Sequence, residues 1–311
     1  MTQPAIVVVG SLNADLVVHV PRFPVAGETI SGEGFVLLPG GKGANQACAA
    51  GRLGGVVAMV GQVGRDDQGA MLRESLRRAG VDVQLVDQDE QAATGVAIIS
   101  IDATGENQII LAAGANGTFT PERLARALPL IRSASVLLLQ LETPLDTVMR
   151  AAMEAQAAAV TVVLDPAPAR DIPDQLLHLA SYVTPNEGEL ARLAGAPVAD
   201  EPSMADVDAQ AARLIARGAT RVLAKLGARG ARLITADGAT QWPARSVTPV
   251  DTTAAGDSFN GAFAVALSEG AELDRAVRFA TTAAGISVTR HGAQPSMPSR
   301  QEVDFRLTIA D

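Results

Sequence analysis

Short, mostly aliphatic runs alternate along this chain with longer stretches in which apolar positions recur every three to four residues. Residues 6–9, 56–60, 136–141, 160–164, 222–226 and 232–235 are runs of the first kind and predict strands. Helical spacing predicts helices over 43–53, 68–79, 145–158, 205–217, about 257–268 and 273–287. Strands apolar at consecutive positions are buried on both faces. Their alternation with helices predicts the α/β class, a three-layer α/β/α sandwich around a mostly parallel sheet. Two segments break the alternation. Residues 12–38 hold no convincing helix, and 94–112 read as two strands joined by the polar turn "DATGEN". Together they predict a small β-layer standing off the main sheet, able to cover a cleft and exclude water. The chain then reads as one domain over 1–311, with a discontinuous β lid from about 12–38 and 94–112.

Composition narrows this picture. Hydrophobic residues make up 48% of the 311 positions and aromatics 3%, so a large core must be mostly aliphatic. Lys and Arg number 25 against 34 Asp and Glu, a formal charge of −9. That balance argues against a nucleic-acid partner, which needs clustered cations on phosphates. No apolar run approaches the ~18 residues of a membrane span, and "MTQPAIVVVG" lacks the charged and apolar regions of a secretory signal. The single cysteine, Cys48, has no internal disulfide partner and reads as a small core residue. A cytoplasmic protein without membrane contact is the expectation.

Candidate chemistry concentrates in four stretches. "DTTAAGDSFNGAF", 251–263, places Ala254, Ala255 and Gly256 in a loop entering a helix, followed by Asp257. Small residues let a ligand approach the backbone, and the first N–H groups of a helix attract anions. Asp257 reads equally as an N-cap or as a general base. The base reading explains a carboxylate beside an anion pocket if the anion is a phosphoryl group in transit. The amides would hold its charge while Asp257 takes a proton from the attacking hydroxyl. "GGKGANQACAAGRLGG", 40–55, is neither a Walker A loop, since Gly43 follows Lys42, nor a dinucleotide fingerprint, since Gln46 replaces the last glycine. Its glycines and Asn45 suit a small polar ligand. In "GSLNADLVV", 10–18, Asn13 and Asp15 share one face of an extended segment and suit vicinal hydroxyls. "TPNEGEL", 184–190, offers Asn186 and Glu189 either as a helix cap or as outer ligands of a hydrated Mg²⁺.

These motifs together resemble the ribokinase-like (PfkB) family of sugar and nucleoside kinases. "GGKGANQACAAGRLGG" is similar to its N-terminal signature and "DTTAAGDSFNGAF" to its C-terminal one, and the likeness runs from "GSLNAD" to "TRHGAQPSMP". Further stretches that carry it are "GENQIILAAGANGTFTP", "LLLQLETPL" and "LDPAPAR". The resemblance implies ATP-dependent phosphorylation of a sugar hydroxyl, in its nearest form the 5-hydroxyl of D-ribose. Fructose, 2-keto-3-deoxygluconate or a nucleoside are alternative acceptors, and a non-catalytic binding homologue is a further one. It also implies a β lid serving as a homodimer interface. By motif, Asp257 becomes the base and Ala254, Ala255 and Gly256 the anion-hole backbone. Asn13, Asp15, Gly41, Lys42, Asn45 and Glu142 face the sugar. Asn186, Lys225, Gly227, Gly230 and Thr281 lie toward the nucleotide, with Glu189 acting indirectly on Mg²⁺. Asp251, Thr253, Ser287, Arg290, Gly292 and Ser296 mark an activating K⁺ site. Lys225 and Thr281 depart from the family pattern, which has a smaller polar residue and an Asn at those places.

Overall fold

A computed structural model describes residues 4–309. Residues 1–3, part of the stretch read above for a leader, and 310–311 lie outside the described residues. Among the described residues, thirteen strands form two sheets. The larger has nine strands in the order β13-β12-β11-β10-β9-β8-β1-β4-β5. These are β1 (Ile6–Val9), β4 (Val57–Gly64), β5 (Asp82–Asp89), β8 (Val136–Leu139), β9 (Thr161–Leu164), β10 (Tyr182–Val183), β11 (Val222–Lys225), β12 (Ala231–Thr235) and β13 (Gly238–Trp242). Every pairing from β5 to β11 is parallel, and β12 and β13 add on antiparallel.

The apolar runs explain the layering. On β1, Ile6 and Val8 pack with Ala44, Leu72 and Phe263 on one face, while Val7 and Val9 pack with Val148, Leu176 and Leu214 on the other. All four strand residues are fully buried. Each such side chain contributes about 1.5–3 kcal/mol, so a four-residue strand can be held by its two faces. The helices Lys42–Arg52, Asp67–Arg78, Ala255–Ser268 and Leu273–Ser287 cover the first face, and Leu145–Ala157 and Met204–Ala216 cover the second.

The smaller sheet has four strands in the order β3-β2-β6-β7: β2 (Asn13–His19), β3 (Glu33–Gly40), β6 (Gly95–Ile101) and β7 (Asn107–Ala112). Residues Leu38, Asp15, Ala97 and Leu111 form one row across it, and Leu37, Leu16, Ile98 and Ile110 the adjacent row. Because side chains alternate along a strand, these rows lie on opposite faces. The Asp15 face serves the site described below; apolar residues are exposed on both faces, Val36, Ile109 and Leu111 on that one and Leu37, Ile98 and Ile110 on the other.

Some boundaries differ from the sequence reading, for local reasons. The strand expected over 136–141 ends at Leu139, and the buried side chain of Gln140 turns to donate to Gln46 Oε1 at 2.7 Å. β4 runs on to Gly64 through Gln62, whose buried amide is satisfied by Asp89, Thr118 and Arg123. The helix expected from about 257 begins at Ala255, with Ala254 at its N-cap in the left-handed region at φ 57°.

Candidate active site

In a parallel sheet, ligands bind beyond the carboxyl ends of the strands, where the strand order reverses. That reversal occurs here between β1 and β8. The residues just past those ends share one edge: Ser11 and Asn13 after β1, Glu142 after β8, Asp165 after β9, Asn186 after β10, and Lys225 closing β11.

Asp257 occupies the centre. It is the third residue of its helix, 6% exposed, and its carboxylate accepts from Asn45 Nδ2 and Gln46 Nε2, each at 3.0 Å. The N-cap alternative is therefore corrected: Ala254 holds the cap position and has no capping side chain. The approach of Asn45 and Gln46 depends on Gly261. A Cβ there would lie 2.6 Å from Ala49 Cβ and 2.7 Å from Gln46 O, so only glycine lets the two helices meet so closely. Burial pushes Asp257 up to about 6; Lys42 opposes this, Asp165 adds to it, and the Asn45 and Gln46 bonds pull it down. At the same helix start, Ala255 N–H donates to Thr252 O and Ser258 N–H to Ala254 O. The N–H groups of Gly256 and Asp257 find no partner inside the helix.

On one side of Asp257 lies a polar cluster under the smaller sheet. One oxygen of Glu142 accepts from Ser11 Oγ, from Lys42 N at 3.1 Å and from Asn13 Nδ2 at 3.4 Å. Asn116 fixes Asn13 by donating to its Oδ1 at 2.8 Å. Gly41, at φ 88°, turns the chain into the Lys42 helix; a Cβ would meet Asn13 N at 2.6 Å. A Cβ on Gly40 would come 2.1 Å from Asp15 Oδ2, so the carboxylate lies flat against the backbone. Desolvation raises Asp15 to about 7, helped by Glu142 and Asp257 and opposed by Lys42. Burial works against the charge of Lys42, but Asp257, Glu142, Asp165 and Glu189 outweigh it and hold the ammonium above the usual lysine range.

On the other side opens a cleft of about 640 Å³. Lys42, Asp257, Gly256, Ala255 and Ala254 form the end nearest the polar cluster, and Asn186, Glu189 and Lys225 line it too. Asn186 and Glu189 form a reciprocal capping box, each side chain bonding the other's backbone N–H at 2.8 Å. Burial raises Glu189, Lys225 opposes this, and Asp165 adds to it. Lys225 Nζ lies 2.8 Å from Asp165 Oδ1. Gly227 and Gly230 turn β11 into β12 with positive φ and line the cleft, as does Thr281, whose buried hydroxyl has no protein partner. Val247, Ala284 and Val288 add an apolar wall.

The residues of the cation set are brought together only in part. Asp251 accepts from Thr253 N and Gly292 N, each at 2.8 Å, and so ties the loop before Ala254 to the segment after the Leu273–Ser287 helix. Arg290 instead pairs with Glu302, and the Ser287 and Ser296 hydroxyls donate to Ala284 O and Ala293 O in their own turns.

Five residues at this centre went unassigned in the sequence: Ser11, Gln46, Asn116, Asp165 and Gln294. Asp165 immediately follows an apolar run, the position where parallel strands deliver ligand groups, and that signal was readable. Gln46 bridges Asp165 Oδ2 at 2.8 Å and Asp257 Oδ1, and Gln294 donates to Asn45 Oδ1 at 3.4 Å. These contacts join residues more than a hundred positions apart and leave no local pattern.

Residues 3–300 match the profile of the pfkB family of carbohydrate kinases. The chain belongs to that family. It is 42% identical over 300 residues to the ribokinase of Haemophilus influenzae, covering 96% of this chain and 97% of that one. With the ribokinase of Bacillus subtilis the identity is 39% over 303 residues, covering 97% and 99%. The structure of Arabidopsis thaliana ribokinase complexed with ribose and ATP superposes with a TM-score of 0.92 at 37% identity, covering 98% of this chain and 99% of that one. As a pfkB family member this chain is a sugar kinase, and its nine-stranded sandwich with a four-stranded second sheet superposes on that Arabidopsis thaliana ribokinase.

Proposed function

We propose that this chain transfers the γ-phosphoryl group of ATP to the 5-hydroxyl of D-ribose. The observation that carries this reading is the junction at Asp257. Its carboxylate faces the Asn45 side, where hydroxyl-binding groups gather, and the same residue lines the cleft beside the Gly256 amide. The full-length likeness to ribokinases supports ribose as the acceptor.

Asn13, Asp15, Asn45 and Glu142 bind and orient the sugar, with the backbone at Gly41 and Lys42 framing the pocket. Asp257 accepts the hydroxyl proton. The sugar oxygen forms its bond to the γ-phosphorus as the bond to the β–γ bridging oxygen breaks, and ADP departs with that electron pair. The amides of Gly256 and Asp257 and the Lys42 ammonium hold the charge on the transferred group, while the Ala255 N–H is spent on Thr252 O, so catalysis is positioning plus electrostatics. ATP lies along Asn186, Lys225, Gly227, Gly230 and Thr281, where the unpartnered Thr281 hydroxyl offers a contact. Glu189, a desolvated carboxylate facing the cleft, suits a hydrated Mg²⁺, which supplies neutralisation of phosphate charge. An activating K⁺ belongs in this reading at the turn that Asp251 ties to Thr253 and Gly292 beside the anion loop, while the side chains of Ser287, Arg290 and Ser296 bond elsewhere. The proposed setting is the cytoplasm; among the described residues no helix is long and apolar enough to cross a membrane. The exposed Leu37, Ile98 and Ile110 face of the lid supports a homodimer joined there.

An acceptor panel with Mg²⁺-ATP and coupled ADP detection tests this. D-ribose should give the highest kcat/KM, with fructose, 2-keto-3-deoxygluconate and nucleosides well below it, and K⁺ should raise the ribose rate over Na⁺ or Li⁺. A better acceptor than ribose overturns the substrate assignment. Equal rates in the three salts remove the cation.

A further inference from the structure

Lys225 is placed where a phosphoryl group in transit would need a cation, at the mouth of the cleft beside Asp257. Its ammonium closes β11 at the sheet edge, its side chain is 11% exposed, and it pairs with Asp165, whose side chain is 3% exposed. The ideal position of a Cβ on Gly256 lies 3.1 Å from Lys225 Nζ. The ammonium therefore stands directly over the helix start whose unpartnered amides face the cleft. Lys42 and Lys225 both line that cleft with Asp257. A buried ion pair is weak support for stability, because desolving two charges offsets their attraction.

We propose that Lys225 is a catalytic residue whose ammonium binds the transferred phosphoryl group against the Gly256 amide, with Asp165 as the positioning residue that holds it there. This rests on the phosphoryl-transfer reading above and deepens it. Asp165 has one oxygen on Lys225 Nζ and the other on Gln46 Nε2, and that same amide donates to Asp257. One buried network thus orients the base and the cation that meets the phosphoryl group. Lys225 forms and breaks no covalent bond. The proton still passes from the acceptor hydroxyl to Asp257, and the leaving electron pair goes to ADP. What the ammonium supplies is charge at the equatorial phosphoryl oxygens, where it is needed most in the transition state.

The test is a comparison of Lys225→Met, Lys225→Arg and the double variant Asp165→Asn/Lys225→Met, which removes both buried charges together and so keeps the fold neutral if Lys225→Met alone does not fold. The readouts are kcat with ribose, ribose KM, and the calorimetric affinities for ADP and for a non-hydrolysable ATP analogue. Loss of the ammonium should lower kcat about 10²-fold. It should weaken the ATP analogue about tenfold while leaving ADP nearly unchanged, and ribose KM should stay near wild type. Lys225→Arg should recover part of kcat. Equal weakening of ADP and the ATP analogue, or a kcat within about twofold of wild type in the charge-free variants, overturns the proposal and leaves Lys225 a partner of Asp165 only. Failure of wild-type protein to phosphorylate any sugar would instead overturn the underlying reading, and the two failures are distinct.

Discussion

At the residue scale the site is organised by carboxylates kept out of water. Asp257 is pushed up to about 6 and Asp15 to about 7, both chiefly by burial, so each is protonated more readily than an ordinary aspartate. A general base must be ionised to work. Turnover should therefore fall about tenfold per pH unit below about 6, as Asp257 gains its proton. Protonation of Asp15 removes an acceptor for sugar hydroxyls, so ribose KM should rise as pH falls through about 7, before kcat responds. Steady-state profiles from pH 5 to 9 check this, and a flat ribose KM across pH 7 would contradict the role of Asp15. Gly40 makes a second residue-scale prediction. With a Cβ only 2.1 Å from Asp15 Oδ2, Gly40→Ala must displace the carboxylate. Set against sugar binding, an overpacking cost of about 1–3 kcal/mol is a rise in ribose KM of about 5- to 150-fold, with ATP KM unchanged. An unaltered ribose KM would show that Asp15 does not meet the sugar.

At the level of elements, legibility followed burial. β1, β8, β9 and β11 are short and mostly buried, and each appeared as an aliphatic run, broken only by Thr161 at the start of β9 and Lys225 at the end of β11. β5 and β13 lie at the sheet edges. β5 reads "DVQLVDQD" and β13 "GATQW", polar enough that no run marks either. Tertiary pairing, rather than local propensity, makes them strands. The short helix Glu187–Leu193 was visible only through its Asn186 and Glu189 cap. The two segments of the smaller sheet stood out because they lacked helical periodicity. Which residues of that sheet share a face follows from register: Asp15 shares its row with Leu38 and Ala97, and Ile110 shares the other with Leu16 and Ile98. That outer row carries the assembly prediction. Sedimentation should show wild type at about twice the 31.9 kDa chain mass. Ile110→Lys should shift it to monomer, by setting a charge in an apolar contact. A monomeric wild type, or an Ile110→Lys variant that still dimerises, would rule out this face.

Across the whole molecule, the fold brings two kinds of chemistry to one point. The smaller sheet and the ends of β1 and β8 gather Asn13, Asp15 and Glu142, groups suited to hydroxyls. The far half of the sheet gathers Asp165, Asn186 and Lys225 around a cleft suited to a nucleotide. The Ala255–Ser268 helix meets both halves, held close to the Lys42–Arg52 helix by Gly261. The two signature stretches could be read from the chain because they are contiguous. The buried bridge through Gln46 and Asp165 could not, because it links the helix after β3 to the end of β9 and to Asp257 only once folded. ADP released from Mg²⁺-ATP with D-ribose, by wild type beside Asp257→Asn, is the measurement nearest to this geometry. Wild type should turn over only with the sugar present, and the variant should lose about 10²–10⁴-fold in kcat while still binding both substrates. An Asp257→Asn enzyme with wild-type kcat would contradict the assignment of that carboxylate as the base.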